Sequence, residues 1–535
     1  MKRPAATTSG AALPMAAALA AFLIYLPTLS YPFLNWDDTT YVVNNPWIRG
    51  WSIGNLAHVF TTPYFSNFLP LHLVSYMVDY SLWGLDPFGY HLQSVLLHAL
   101  NAALAFLVVK RLIGRHTVAF LAALFFAVHP SHVEAVAWIS IRKDLLSTTF
   151  ALSAMAFYVR ATDARGVRPV AYVASVACFT LGMLSKVTIV TLPAFLLVLD
   201  RFPSEGRPRN RWTVDLATKI PFAAIGLWLV HLNSTAQTTA TASYARDAWS
   251  YLAVKGRAAW NYLALLAGAA RGSPDYDLPS PGPGVLARLG AVAGLVALPA
   301  LALVALRLGS RAAFLGLAWV FVFLLPALAF PLVTYMADRY LYLPSLGFCW
   351  ATAAGISWLA RRLPTPRARA ATVAALGLAT LVGLGARTVQ ALPVWRDSES
   401  LWSYALTRCG DFRAYTNLAA IRLEQGRWDE AERLLRVSAR VEDVTTYQNL
   451  AVLYFRTGRY QEALGAIDHA LAILRRRGRD PALASVLYYS RGAITWQLGD
   501  AAETEKALEA AVREDPSNAA ARTRLDSVRR RPFNP

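Results

Sequence analysis

Long apolar runs separated by short polar connectors dominate the chain up to residue 391. A helix needs roughly 20 apolar residues to cross the hydrocarbon core of a bilayer. By that measure the pattern predicts eleven spans, at 11–29, 89–109, 117–129, 145–159, 170–185, 187–200, 218–232, 285–306, 312–331, 340–360 and 370–391. Residues 70–84, "PLHLVSYMVDYSLWG", are amphipathic and too short to span, and read as a helix lying at the membrane surface. The loop 233–284 has a similar helical stretch, "SYARDAWSYLAVKGRAAWNYLALLAG", and leaves through a Pro/Gly-rich exit, "SPGPG".

After residue 391 the runs shorten to helical periodicity and a repeat appears. Asn417, Gly426, Trp428 and Ala431 recur 32 residues later as Asn449, Gly458, Tyr460 and Ala463. Small residues, a Gly turn, an aromatic and a Glu-Ala pair in that order are the pattern of tetratricopeptide helix pairs. A third, diverged unit keeps Gly499, Ala507 and Pro516 in sequence. Such units cannot bury a face alone, so they stack, with the helix near "SESLWSYAL", into a small α-solenoid. The predicted fold class is therefore all-α: a polytopic membrane bundle over 1–391 with external loops 30–88 and 233–284, and a repeat domain over 392–535.

Composition agrees, with 56% hydrophobic and 16% charged residues, and a net charge of +19 raises the question of a nucleic-acid face. The cations flank predicted spans instead, which argues against nucleic acid as a partner. With the N-terminus in the cytoplasm, Lys110/Arg111/Arg115, Arg160/Arg165/Arg168, Arg201/Arg207/Arg209/Arg211, Arg307/Arg311 and Arg361/Arg362/Arg367/Arg369 all fall on the cytoplasmic side. An odd number of spans then puts the repeats outside the cytoplasm. The start, Met1-Lys2-Arg3 and an apolar run without a clear cleavage site, reads as an uncleaved anchor. Cys178, Cys349 and Cys409 are scattered and suggest neither a disulfide framework nor a metal site.

The other ionisable groups near the predicted spans gather on the opposite side. They are Asp37 and Asp38 in "NWDD"; His129, His132, Glu134, Arg142, Lys143 and Asp144 in "HPSHVEAVAWISIRKDLL"; Lys186 between two apolar runs; and Asp338, Arg339 and Tyr342 in "DRYLYLP". Charge near lipid is costly and commonly functional. Adjacent carboxylates with separate cations suit a transfer reaction, one carboxylate taking a proton from a hydroxyl while cations hold a departing phosphate. Plainer readings stand beside this one. Asp38 can cap a short helix, Arg142-Lys143-Asp144 can start a span at the interface, and Asp338-Arg339 can be a local ion pair. His129, His132 and Glu134 resemble a metal set but lack a fourth ligand.

Taken in order, "NWDD", "WGLDPFGYHLQSVLLHALNA", "HPSHVEAVAWISIRKDLLS", "LGMLSKVTIVTLPAFLLVLD", "DRYLYLPSLGF" and "VWRDSESLWSYAL", followed by the repeats, resemble bacterial relatives of the transmembrane and tetratricopeptide repeat-containing O-mannosyltransferases. That family belongs to the GT-C glycosyltransferases, membrane enzymes using polyprenyl- or dolichyl-phosphate sugars. The resemblance implies an inverting glycosyltransferase of the bacterial inner membrane. It would move a sugar, mannose in the eukaryotic members, from a polyprenyl-phosphate donor to Ser or Thr of an exported protein recruited by the repeats. It makes Asp37 and Asp38 the catalytic pair, one of them the base, with preference for Asp38. Arg142, Lys186 and Arg339 become donor-phosphate ligands, and His91, His129, His132, Glu134, Asp144 and Tyr342 pocket residues. The chemistry requires no metal, and the sequence leaves a divalent ion open. Two departures touch the donor: Leu69 stands before Pro70 where Arg is expected, and Lys186 is followed by Val-Thr. A non-catalytic scaffold anchoring the repeats is the alternative from another class, and a lipid-linked glycan transporter is a further rival.

Overall fold

A computed structural model describes residues 9–162, 167–203, 212–236, 248–276, 284–330, 334–478 and 480–530. Met1-Lys2-Arg3, Arg165, Arg207, Arg209, Arg211 and most of the exit at 280–284 lie outside them. Among the described residues the regular elements are all helical, with one isolated bridge between Tyr64 and Asn67.

The predicted spans overlap helices, but among the described residues six helices, or seven if a bent pair is one span, are long and apolar enough to cross a membrane, against the eleven expected. Pro87–Ile113, Trp212–Ala236, Val285–Arg307, Arg311–Ala329, Asp338–Ala360 and Pro366–Trp395 are long and apolar enough to cross a membrane. His116–Ala127 is followed, after a bend of 51°, by Pro130–Ala137. Ser9–Ile24, Pro169–Ser185 and Leu192–Arg201 have 16, 17 and 10 residues, and Arg142–Ala161 opens on three charged residues. The chain is an integral membrane protein.

The Pro87–Ile113 helix organises the bundle, and its sequence specifies both ends. Asp86 accepts from the Phe88 N–H, Pro87 occupies the first turn, and Gly114 closes the C-terminus at φ 72°. Its buried His91, Ser94, His98 and Asn101 recur at helical spacing, a polar stripe on an apolar helix. His98 bonds Tyr342 Oη at 2.8 Å and the Ala127 carbonyl at 3.0 Å. Asn101 donates to the Leu145 carbonyl at 3.0 Å. Such interhelical bonds in a membrane average about 0.6 kcal/mol and reach ~1.7. Elsewhere close packing does the work: Gly316 and Gly347 face each other, and a Cβ on Gly316 would lie 2.6 Å from the Gly347 carbonyl oxygen.

The structure divides after Asp397 rather than at 391. Residues 392–397 belong to the membrane unit because Leu392 and Trp395 are buried there, Trp395 stacked on Trp138. The second unit begins with Ser398–Arg408 and continues as three helix pairs: Phe412–Glu424 with Trp428–Ser438, Val444–Arg456 with Tyr460–Arg477, and Pro481–Gln497 with Ala501–Glu514. Ala519–Arg530 ends it. Gly426, Gly458 and Gly499 sit at φ 71°, 76° and 83°, where an L side chain is strained, which explains their recurrence. Asp411, Asp443, Asp480 and Asp500 cap the helices that follow them. Leu435 and Ile467 are fully buried between the pairs, each stabilising by about 1.5–3 kcal/mol.

Candidate active site

The two carboxylates of the acidic motif face different surroundings. Asp38 is 1% exposed. Its Oδ2 accepts from the Leu34 N–H at 3.0 Å, and its Oδ1 accepts from the Ser140 N–H at 3.0 Å and from Ser140 Oγ. Asp38 precedes the short turn Thr39–Val43 without capping it, and so ties the first loop to the Ile139–Ile141 turn instead. Burial outweighs these bonds and pushes its carboxyl up to about 6. Three of a carboxylate's roughly four acceptor sites are thereby used inside the protein. Asp38 is so tied to Leu34 and Ser140 in this structure. Asp37 is half-buried, and its field reaches Lys143 and Tyr41. Trp36 stacks on Trp138 at 4.2 Å between ring centroids, bracing the loop that carries both residues.

The expected phosphate ligands also separate. Arg142 is fully buried. Its guanidinium pairs with Asp79 on the Pro70–Trp83 surface helix, donates to the Tyr90 carbonyl at 2.6 Å and bonds Ser94 Oγ at 3.3 Å. In this structure it is a strut between elements, with its guanidinium committed to Asp79, Tyr90 and Ser94. Lys143 lies one residue on, about 100° round the helix, and turns the other way, with Nζ 5.1 Å from the centre of the Tyr41 ring.

Lys186 and Arg339 do come together. Lys186 Nζ is 2.5 Å from Asp144 Oδ1, and Arg339 pairs with Glu134, whose Oε2 also accepts the Arg339 N–H at 2.8 Å. Both cations lie 5.3 Å from the centre of the Tyr340 ring. Between them is a narrow cleft lined by Asp144, Ser147, Thr148, Lys186, Arg339 and Tyr340 among others. Each cation is held by one carboxylate, so an arriving phosphate would share or displace that partner. Arg339 also lies 5.7 Å from the Trp138 ring, which links this cluster to the acidic loop. Tyr276 donates to Asp338 beside it.

Of the expected pocket residues, Glu134 and Asp144 are the carboxylates holding the cations. His129, His132 and Tyr342 pack behind them rather than into the cleft. His129 bonds Ser131 Oγ at 2.8 Å and the Leu266 carbonyl at 3.0 Å, and His132 bonds Ser345 Oγ at 2.6 Å. With Glu134 on Arg339, these three do not converge as a metal set. His91 lies edge-on to Tyr31 at 6.2 Å. The sequence reading assigned no role to Lys143, Tyr340, Ser140 or Asp79. Lys143 was the most legible, as the second of two adjacent cations that a helix must point apart.

Residues 78–231 match the family described as Dolichyl-phosphate-mannose-protein mannosyltransferase, and 414–443 and 444–477 match tetratricopeptide repeats. The chain is 32% identical over 199 residues to human Protein O-mannosyl-transferase TMTC2, covering 34% of this chain and 23% of that protein. To Drosophila melanogaster Protein O-mannosyl-transferase Tmtc1 it is 28% identical over 526 residues, 78% of this chain and 60% of that one. The chain thus spans less than two thirds of the length of these relatives. Among solved structures, apo ArnT from Cupriavidus metallidurans aligns over 88% of this chain and 78% of that chain at 16% identity with a TM-score of 0.40, too distant to transfer geometry. In its motifs, its repeats and these matches, the chain is similar to the transmembrane and tetratricopeptide repeat-containing O-mannosyltransferases.

Proposed function

We propose that the protein is a GT-C-type glycosyltransferase that moves a sugar from a polyprenyl-phosphate carrier to a hydroxyl acceptor. The observation that supports this most is the division of labour around one loop: a half-buried carboxylate, Asp37, in the field of Lys143, with the Lys186 and Arg339 cations gathered over Tyr340. In the proposed step Asp37 takes the proton of the acceptor hydroxyl and the acceptor oxygen attacks carbon 1 of the sugar. The bond from carbon 1 to the phosphate oxygen breaks with its electron pair on the phosphate, and the anomeric centre inverts. Lys143, Lys186 and Arg339 stabilise the second negative charge that develops on the leaving lipid phosphate. No metal is needed in this scheme, so EDTA leaves the rate unchanged.

The names of the relatives make mannose the first sugar to test and Ser or Thr the first acceptors. The basic connectors favour a cytoplasmic N-terminus and extracytoplasmic repeats, in a bacterial inner membrane, where the repeats recruit the acceptor protein. The test is to supply purified protein with polyprenyl-phosphate mannose and a Ser/Thr-rich peptide, and to measure glycopeptide and released lipid phosphate. Equal amounts of both are expected from the wild type, with strong loss in Lys186→Gln. Absence of both products from folded wild type would overturn the reading.

A further inference from the structure

Away from the acidic loop, a cavity of about 800 Å³ opens between the helices His116–Ala127, Tyr342–Ala360 and Pro366–Ala391. Its walls are apolar, Leu121, Leu124 and Val373 among them, and Arg115, Arg361 and Arg369 stand at one end. The volume lies in the usual range for ligand sites, roughly 300–1,000 Å³.

The way the last of these helices is seated creates the space. Only 6% of its apolar window is buried, against 61% for Asp338–Ala360 and 72% for Arg311–Ala329. It is pinned by Thr388 Oγ1, which donates to the Val128 carbonyl at 2.7 Å, and by Gly377, where an added Cβ would lie 2.9 Å from Leu121.

The charges at that end are uncompensated. Among the described residues no carboxylate pairs with Arg115, Arg361 or Arg369, all three are exposed, and Arg115 and Arg361 are close enough to repel. Arg369 Nε donates to the Leu363 carbonyl at 2.8 Å, which holds its side chain in place. Basic residues at the end of a span orient it without needing a slot beside them. Here three guanidinium groups stand at the mouth of an apolar slot running alongside helices that cross the membrane, with the headgroup end where a bilayer places its phosphates. Guanidinium groups bind phosphate oxygens in a fixed fork, and basic pockets between spanning helices suit anionic headgroups.

We propose that this groove binds an anionic phospholipid, its acyl chain lying against Leu121, Leu124 and Val373 and its phosphate held by Arg115, Arg361 and Arg369. The site is separate from the proposed donor site, at the other end of the spans, and does not depend on the chain being an enzyme.

Native mass spectrometry of the full chain released from detergent micelles tests it, with phosphatidylglycerol and phosphatidylcholine as probes. The expected result is selective retention of phosphatidylglycerol by the wild type. Retention should weaken about tenfold or more in an Arg115→Gln/Arg361→Gln/Arg369→Gln variant. Ala374→Trp, which fills the exposed groove wall and leaves the arginines in place, should lose it as well. Equal binding of the two lipids to the wild type would overturn the proposal. So would wild-type phosphatidylglycerol binding in either variant, or complete displacement by inorganic phosphate, which would mean that the chain-binding groove plays no part.

Discussion

Asp38→Asn separates a structural carboxylate from a catalytic one. The substitution keeps shape and leaves one oxygen able to accept from Ser140, but it turns an amide nitrogen towards the Leu34 N–H, which loses its acceptor. A buried backbone N–H left without a partner costs about 1–3 kcal/mol. Against that, the variant no longer buries a charge. The Asp38 carboxyl is raised from 3.8 to about 6, and at about 1.4 kcal/mol per unit its ionised form costs about 3 kcal/mol at pH 7. The two effects nearly cancel, so Asp38→Asn should unfold within about 2 kcal/mol of the wild type. The pH dependence has a definite sign. A raised carboxyl stabilises fully below its unfolded pKa and loses that contribution as pH rises through the folded value. The wild type should therefore lose roughly 1 kcal/mol between pH 5 and pH 7.5, and the variant should not show this loss. Thermal unfolding in detergent at the two pH values, with transfer rates on the same preparations, makes the comparison. The reasoning is refuted if Asp38→Asn folds with the wild-type pH slope, or folds normally and is inactive.

Other substitutions probe the remaining parts. Lys143→Gln should leave the unfolding temperature near the wild-type value and lower the transfer rate about tenfold or more through weaker stabilisation of the leaving phosphate; steady-state kinetics with varied donor reads this. Arg142→Gln strands Asp79 in the interior and should destabilise by about 3–5 kcal/mol, while Arg142→Met/Asp79→Leu recovers most of that loss in thermal unfolding. Gly347→Ala places a Cβ against the Gly316 carbonyl oxygen and should cost about 1–3 kcal/mol, seen as a lower unfolding temperature with donor affinity unchanged in the folded fraction.

The apolar helices and the repeats were legible because both write a period into the sequence, with Gly426, Gly458 and Gly499 at matching turns, whereas the number of helices long enough to cross was not. The stripe of His91, Ser94, His98 and Asn101 was equally open to a reading at helical spacing. Pairing was not. Arg142 looks like a ligand until Asp79, 63 positions earlier, is seen against it, and only the folded chain brings Glu134 to Arg339. Asp37 and Asp38 are adjacent and chemically alike, so which one turns inward depends on Ser140, more than 100 residues away. The domain boundary moved past 391 for a similar reason, since Trp395 finds its partner in Trp138.

The central claim is sugar transfer with Asp37 as the base, and it is tested most directly by mass spectrometry of exported proteins from cells carrying the wild type or Asp37→Asn at equal levels of folded protein. The account predicts hexose-modified Ser/Thr peptides with the wild type, and their fall by about 100-fold or more with Asp37→Asn. An unchanged glycopeptide profile in the Asp37→Asn cells would contradict it.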